Sequence, residues 1–158
     1  MIDMEIYPDF IIVDGSEGGT GAAPLEFEDR VGTPLTEGLI FVQNALVGCG
    51  LRDMIRIGVS GKITSGFTMA RAMARGADYC NSARGMMFAL GCIQAKRCHT
   101  NNCPVGIATQ KPALTSRIIV DRSAEQLANF FGASVDLIKI LARACGHDHL
   151  NKFNAGDL

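Results

Sequence analysis

Phe10-Ile11-Ile12-Val13-Asp14-Gly15-Ser16-Glu17-Gly18-Gly19-Thr20-Gly21 is the stretch that decides the fold class. Its first five residues form an apolar, β-branched run without alternation, which suits a strand covered on both faces, as in a parallel sheet. The run breaks into a loop with four glycines in seven residues, a density that neither helix nor strand tolerates. Downstream, Leu39, Phe41, Val42, Ala45 and Leu46 make a broad apolar face on a predicted helix over 35–46, broken by Gly48 and Gly50. A second strand is predicted over 54–59, ending in Ser60-Gly61, and a short Ala- and Met-rich helix over 68–75, stopped by Gly76. Residues 77–81 read as a weak third strand, followed by Ser82-Ala83-Arg84-Gly85 and by the start of another helix over 86–91. A Cys-, Asn- and Pro-rich excursion then fills 92–112. The last helix is expected to open at Ser123 with Gln126 as its capping-box partner, burying Leu127, Phe130, Phe131, Val135, Ile138 and Leu141. From Gly146 the tail is polar. Strand, glycine loop and helix recur three times, which implies a parallel α/β architecture.

The chain has 158 residues, enough for one domain with a sizeable core. Fifteen Lys and Arg against sixteen Asp and Glu argue against a nucleic-acid partner, since phosphate binding shows as a basic excess. No apolar run is long enough to span a membrane, and the acidic start at Met1-Ile2-Asp3-Met4-Glu5 lacks the features of a signal peptide. A cytoplasmic setting is therefore expected, in which six cysteines read as thiols or metal ligands and not as a disulfide framework.

The most specific pattern is Cys92-x5-Cys98-x4-Cys103, three cysteines within twelve residues on a loop ending in Cys103-Pro104. Thiolates select zinc or iron–sulfur clusters. Zinc usually wants four ligands, with only His99 nearby as the fourth; three thiolates alone match a three-iron cluster better, and three unrelated thiols are the bland alternative. Cys49, Cys80 and Cys145 are expected to be core thiols, and His147 and His149 surface residues. The turns Ser60-Gly61-Lys62 and Ser82-Ala83-Arg84-Gly85 follow adjacent strands, where backbone N–H groups and a helix N-terminus can hold a phosphate. Ordinary tight turns are the competing reading. Neither is a P-loop, and Gly19-Thr20-Gly21 lacks the third glycine of a dinucleotide fingerprint. Asp14 and Glu17 are candidate polar contacts beside the glycine loop, solvated carboxylates being the commoner case.

Residues 13–24, Gly50-Leu51-Arg52-Asp53 and the stretch from Cys92 to Cys103-Pro104-Val105-Gly106-Ile107-Ala108-Thr109-Gln110, in this order, resemble the flavin-binding synthase domain of the glutamate synthase family. The resemblance runs from about residue 8 to 150 and is closest to stand-alone glutamate-synthase-like flavoproteins. It implies the C-terminal portion, about three β/α units, of a TIM (β/α)8 barrel, with residues 1–158 a partial FMN-binding domain and an iron–sulfur loop at 91–110. The implied cofactors are FMN and a [3Fe-4S] cluster. By the same resemblance the cluster ligands fall on Cys92, Cys98 and Cys103. The flavin phosphate falls on Gly61 and on Ser82, Ala83, Arg84 and Gly85, and Gly18, Gly19 and Thr20 would border the flavin and substrate pocket. The implied chemistry takes electrons through the cluster to FMN and reduces 2-iminoglutarate, made from 2-oxoglutarate and ammonia, to glutamate.

Two departures accompany the resemblance. Ser60-Gly61-Lys62 replaces the Asp-Gly-Gly of the larger synthases, which leaves a Gly61 backbone contact possible and makes Lys62 either a phosphate contact or, more commonly, a solvated lysine. The second is length: a whole barrel needs about 200 residues or more. The expectation is a fragment, with the substrate-binding residues encoded before Met1 and no turnover alone, completed by an N-terminal half and served by an electron-donor protein. An iron–sulfur electron-transfer module and an inactive remnant are the alternatives.

Overall fold

The computed structural model describes residues 2–16, 23–24, 26–27 and 31–158. Three strands, β1 (Phe10–Asp14), β2 (Arg56–Ser60) and β3 (Tyr79–Asn81), form one parallel sheet in the order β1-β2-β3. Ile12 lies opposite Gly58 and Asp14 opposite Ser60; across the next ladder Gly58 faces Tyr79 and Ser60 faces Asn81. The crossovers are α1 (Leu35–Gly48) and α2 (Gly66–Ala74). α2 starts at a capping box in which Ser65 Oγ accepts from Thr68 N and Thr68 Oγ1 accepts from Ser65 N. Beyond β3 come α3 (Arg84–Ala89), a short α4 (Pro112–Thr115) and the long α5 (Val120–Ala144).

Because side chains alternate along a strand, each strand sends every second residue to the same face. Val13, Ile57 and Val59 on one face join Leu39 and Leu46 of α1 and Ala72 of α2 in a single buried cluster, with Ile11 and Cys80 packed against it. Both crossover helices thus lie on the same side of the sheet, and the strand order never reverses. On the other face Phe10 is 55% exposed, Ile12 48% and Tyr79 37%. Phe10 and Tyr79 meet there edge to face, with ring centroids 6.5 Å apart. Gly58 lies between them in the ladder, where a Cβ would run into the Tyr79 ring.

The amino ends of the strands are tied by charge. Arg52 Nη2 donates to Asp78 Oδ2 at 2.9 Å and to the Gly76 carbonyl at 2.8 Å, while Arg52 Nε donates to Gln43 Oε1 at 2.6 Å. Asp78 also accepts from the Ile57 amide at 2.7 Å and from Arg56. One ion pair therefore joins α1, the approach to β2, the end of α2 and the approach to β3. A second cluster, Met73, Ala74, Ile138, Ala142 and Phe153, seats α5 and the C-terminal tail on α2.

Several sequence expectations are corrected. α5 begins at Val120, and its N-cap residue Ile119 makes no side-chain cap. Ser123 sits inside the helix, where its hydroxyl donates to the Leu90 carbonyl at 3.3 Å, so it links α5 to α3 and does not cap. Phe131, expected in the core, is 55% exposed because the face of α5 that meets α2 is centred on Ser134, Ile138 and Ala142. Cys49 and Cys145 are exposed; Cys80, half-buried on the covered face of β3, alone of these three behaves as a packed thiol. The tail after Gly146 is folded: it makes 3-10 turns at Leu150–Lys152 and Ala155–Asp157 and buries Phe153. His147 is no free surface residue, since its Nε2 lies 2.8 Å from Asp157 Oδ2 and its ring stacks edge to face on Phe153.

Candidate functional site

The two strand-end turns are brought together. Gly15 N donates to the Ser60 carbonyl at 2.8 Å, so the exit of β1 is held against the end of β2. Gly61 and Lys62 follow with φ of 140° and 49°, which turns the chain sharply off the strand. Ser82 Oγ donates to the Ile63 carbonyl at 2.6 Å and so fastens the turn after β3 to the turn after β2. Ala83 is exposed, Arg84 half-buried and Gly85 buried. α3 starts at Arg84 with no side-chain cap from Ala83, and the first N–H groups of a helix have no partner inside it. Gly18, Gly19 and Thr20 lie outside the described residues. A small hollow of about 130 Å³ lies behind Gly61, bordered by Leu35, Leu39, Lys62, Thr68 and Arg71. It is smaller than the few hundred Å³ that a flavin-sized ligand needs.

The three cysteines of the predicted cluster motif all sit between α3 and α4. Cys92 follows α3, with its amide donating to the Met87 carbonyl at 3.0 Å; Cys98 opens the 3-10 turn Cys98–Thr100; Cys103 is buried at 6% exposure. All six cysteines are free thiols. Among the described residues, no three His, Cys, Asp or Glu side chains gather as a metal site. The fold thus puts the three thiols on one loop and does not converge them.

The donor chemistry of that loop is nevertheless specific. Burial works to raise the Cys103 pKa, but the backbone amides of Ala108, Val105, Ile107 and Gly106 outweigh it and bring it below its ordinary value. Such a set of amides stabilises negative charge on sulfur, whether as free thiolate or as ligand. By contrast, burial alone pushes the Cys80 thiol up to about 11 and leaves it inert. The amide set is made possible by Gly106, whose φ is +87° and where a Cβ would run into the Leu114 carbonyl. Asn101, at φ +57°, and buried Thr109 close the loop through side-chain hydrogen bonds.

One signal legible in the sequence adds to this. Between Asp78 and Asp121 there is no carboxylate side chain, whereas Arg84, Lys96, Arg97, Lys111 and Arg117 all fall in that interval. The Ser82–Gly85 turn and the three-cysteine loop are therefore carried on a cationic segment of a chain that is acidic by one charge overall. The Thr109 contact to Asn101 and the Arg52–Asp78 pair left no separate signal, since both join residues that only the fold brings together.

An α/β chain with parallel strands, glycine turns at their carboxyl ends and a three-cysteine loop defines a class, and comparison with known proteins gives the family. Residues 2–148 match the model described as a conserved region in glutamate synthase, and the chain belongs to the glutamate synthase family. It is 44% identical over 140 residues to the glutamate synthase large subunit-like protein YerD of Bacillus subtilis (strain 168), an alignment covering 89% of this chain and 27% of that protein. It is 41% identical over 138 residues to the archaeal glutamate synthase (NADPH) of Methanocaldococcus jannaschii, covering 87% of this chain and 27% of the relative. Ferredoxin-dependent glutamate synthase 2, chloroplastic, of Arabidopsis thaliana is 38% identical over 143 residues, covering 90% of this chain and 9% of the relative. The chain thus spans about a quarter or less of the length of these relatives.

Proposed function

We propose that this chain forms the C-terminal β/α portion of a (β/α)8 barrel in a glutamate-synthase-type oxidoreductase. In that reading it holds parts of an FMN site and a [3Fe-4S] site, and the whole enzyme reduces 2-iminoglutarate, derived from 2-oxoglutarate and ammonia, to glutamate. Family membership supports the activity. The barrel reading is supported by the unreversed strand order, by both crossover helices lying on one side, and by the apolar face left by Phe10, Ile12 and Tyr79, since parallel sheets are covered on both faces. No helix among the described residues is long and apolar enough to cross a membrane, in keeping with a cytoplasmic enzyme.

The observation that carries the reading is the loop between α3 and α4, which bears Cys92, Cys98 and a buried Cys103 whose thiol is shifted below its ordinary pKa. That donor set suits an iron–sulfur cluster, and cluster binding would draw the three thiols together. For FMN, the residues fit a phosphate: the Ser82–Gly85 turn opens α3 without a side-chain cap, beside Gly61. When bound, the cluster and the flavin would supply single-electron and hydride chemistry respectively. Arg84, Lys96, Arg97, Lys111 and Arg117 would offset the negative charge of both groups and favour an electron donor with an acidic surface.

The test is the iron, acid-labile sulfide and flavin content of the chain purified without oxygen. About three irons per chain with sulfide and flavin are expected, and Cys98→Ser should abolish the iron and sulfide. Full iron and sulfide in Cys98→Ser would overturn the ligand assignment. Iron without flavin would instead mark an electron-transfer module, and zinc without sulfide an inactive remnant.

A further inference from the structure

The hollow behind Gly61 carries charge of one sign. Lys62, Arg71 and Arg75 border it together with the hydroxyl-bearing Thr36 and Thr68, and no carboxylate is among the residues that line it. The sequence around it agrees. Between Asp53 and Asp78 the chain has no Asp or Glu, while Arg56, Lys62, Arg71 and Arg75 all fall in that interval. Arg71 and Arg75 stand four residues apart at the end of α2, a spacing at which like charges on a helix repel. The helix dipole offsets part of that repulsion, but among the described residues neither guanidinium has an ion-pair partner. Lys62 is brought to the hollow by a backbone with φ of 49°, a left-handed conformation that residues other than glycine seldom adopt. The hollow lies between α1 and α2, on the helix side of the sheet. Of the residues proposed above for the flavin phosphate it touches Gly61 alone and none of Ser82, Ala83, Arg84 and Gly85.

We infer that this hollow is an anion site, separate from the flavin phosphate site, that takes one phosphate group, either free orthophosphate or the phosphate of a small monoester. Its volume of about 130 Å³ holds several waters or one tetrahedral oxyanion and is too small for a flavin. Guanidinium groups present paired N–H donors that match two phosphate oxygens, and Lys62 adds a point charge. A bound anion also removes the repulsion between Arg71 and Arg75. Because its contacts come from α1, α2 and the turn after β2, occupancy braces the two crossover helices against each other and stabilises the folded chain by mass action. The inference goes beyond the glutamate-synthase reading and does not depend on it.

The experiment titrates the full chain with orthophosphate at constant ionic strength set by chloride, read by calorimetry and by the thermal unfolding midpoint. Saturable binding in the millimolar range with a rising midpoint is expected. Arg71→Gln and Arg75→Gln should each weaken binding about tenfold, the loss of one charge-assisted contact. Arg143→Gln, which removes an exposed arginine of α5, should bind as wild type does. Glycerol 3-phosphate titrated in the same way separates the sources: tighter binding than orthophosphate assigns a monoester, and equal or weaker binding assigns the free ion. No saturable binding, or an equal loss in Arg143→Gln, overturns the site and reduces the effect to net charge. Displacement of phosphate by FMN overturns its separateness and leaves the flavin reading standing. Phosphate binding that follows Arg71 and Arg75 in a chain that takes up no FMN overturns the flavin reading for this chain and leaves the anion site standing.

Discussion

The two faces of the sheet are built from the same three strands and have opposite fates. On the covered face Ile57 and Val59 are fully buried under α1 and α2. On the open face Phe10, Ile12 and Tyr79 are also large and apolar, yet they stay 55%, 48% and 37% exposed. Strand propensity does not distinguish them, because Ile11 and Ile12 are neighbours of the same type pointing opposite ways. What differs is what lies across: two amphipathic helices on one side and, among the described residues, only a ring pair over Gly58 on the other. An apolar parallel-sheet face left open among the described residues is what the barrel interior of the proposed function would present.

This contrast can be broken at named positions. The largest effect is expected from Ile57→Ala, which empties a fully buried site between the sheet and both helices. It should cost about 3 kcal/mol, read as a lower urea midpoint at unchanged slope. Next comes Cys80, on the covered face of β3. Burial holds its folded pKa near 11, above the unfolded value of about 8.5, so the folded state keeps a proton that the unfolded state loses. Stability should be at its full value below about pH 8 and fall progressively as pH rises toward 11, on the order of 3 kcal/mol in all; Cys80→Ala should flatten that alkaline loss. Gly58→Ala should cost about 1 kcal/mol, because the new methyl group meets the Tyr79 ring and the ring, 37% exposed, can swing outward. The smallest change is expected from Phe10→Ser on the open face, about 0.5 kcal/mol. A Phe10→Ser loss as large as that of Ile57→Ala would show that the two faces are equally buried and end the comparison.

The tail offers a separate pH test. The amide of Asn154, followed by the His147 side chain, lowers the Asp157 pKa. Its contribution is therefore present above the ordinary aspartate range near pH 4 and lost as pH falls below it. Amide exchange over 147–158 should accelerate on acidification before that of the β-strands.

Much of this arrangement could be read in advance. The β-branched run at 10–14 gave β1 to the residue, and Gly76 and Gly48 marked helix ends within two residues. The spacing of Cys92, Cys98 and Cys103 placed all three on one excursion outside the apolar clusters. Where reading failed, a side chain had two local options and a distant partner chose between them. Ser123 with Gln126 has the pattern of a cap, yet the Leu90 carbonyl, 33 residues away, takes its hydroxyl. His147 lies in a polar tail, yet Asp157 and Phe153 enclose it.

Sequence alone therefore determined the repeating strand, turn and helix units, the glycine positions and the thiol loop, because these depend on backbone freedom and on periodicity within about twenty residues. Only the tertiary structure decided which face of the sheet is covered, that Arg52 and Asp78 tie four segments together, and that the Thr109 hydroxyl closes on Asn101 across the loop carrying Cys103. Those outcomes depend on packing and on hydrogen bonds between separated groups, whose strength is set by burial and distance and not by residue type.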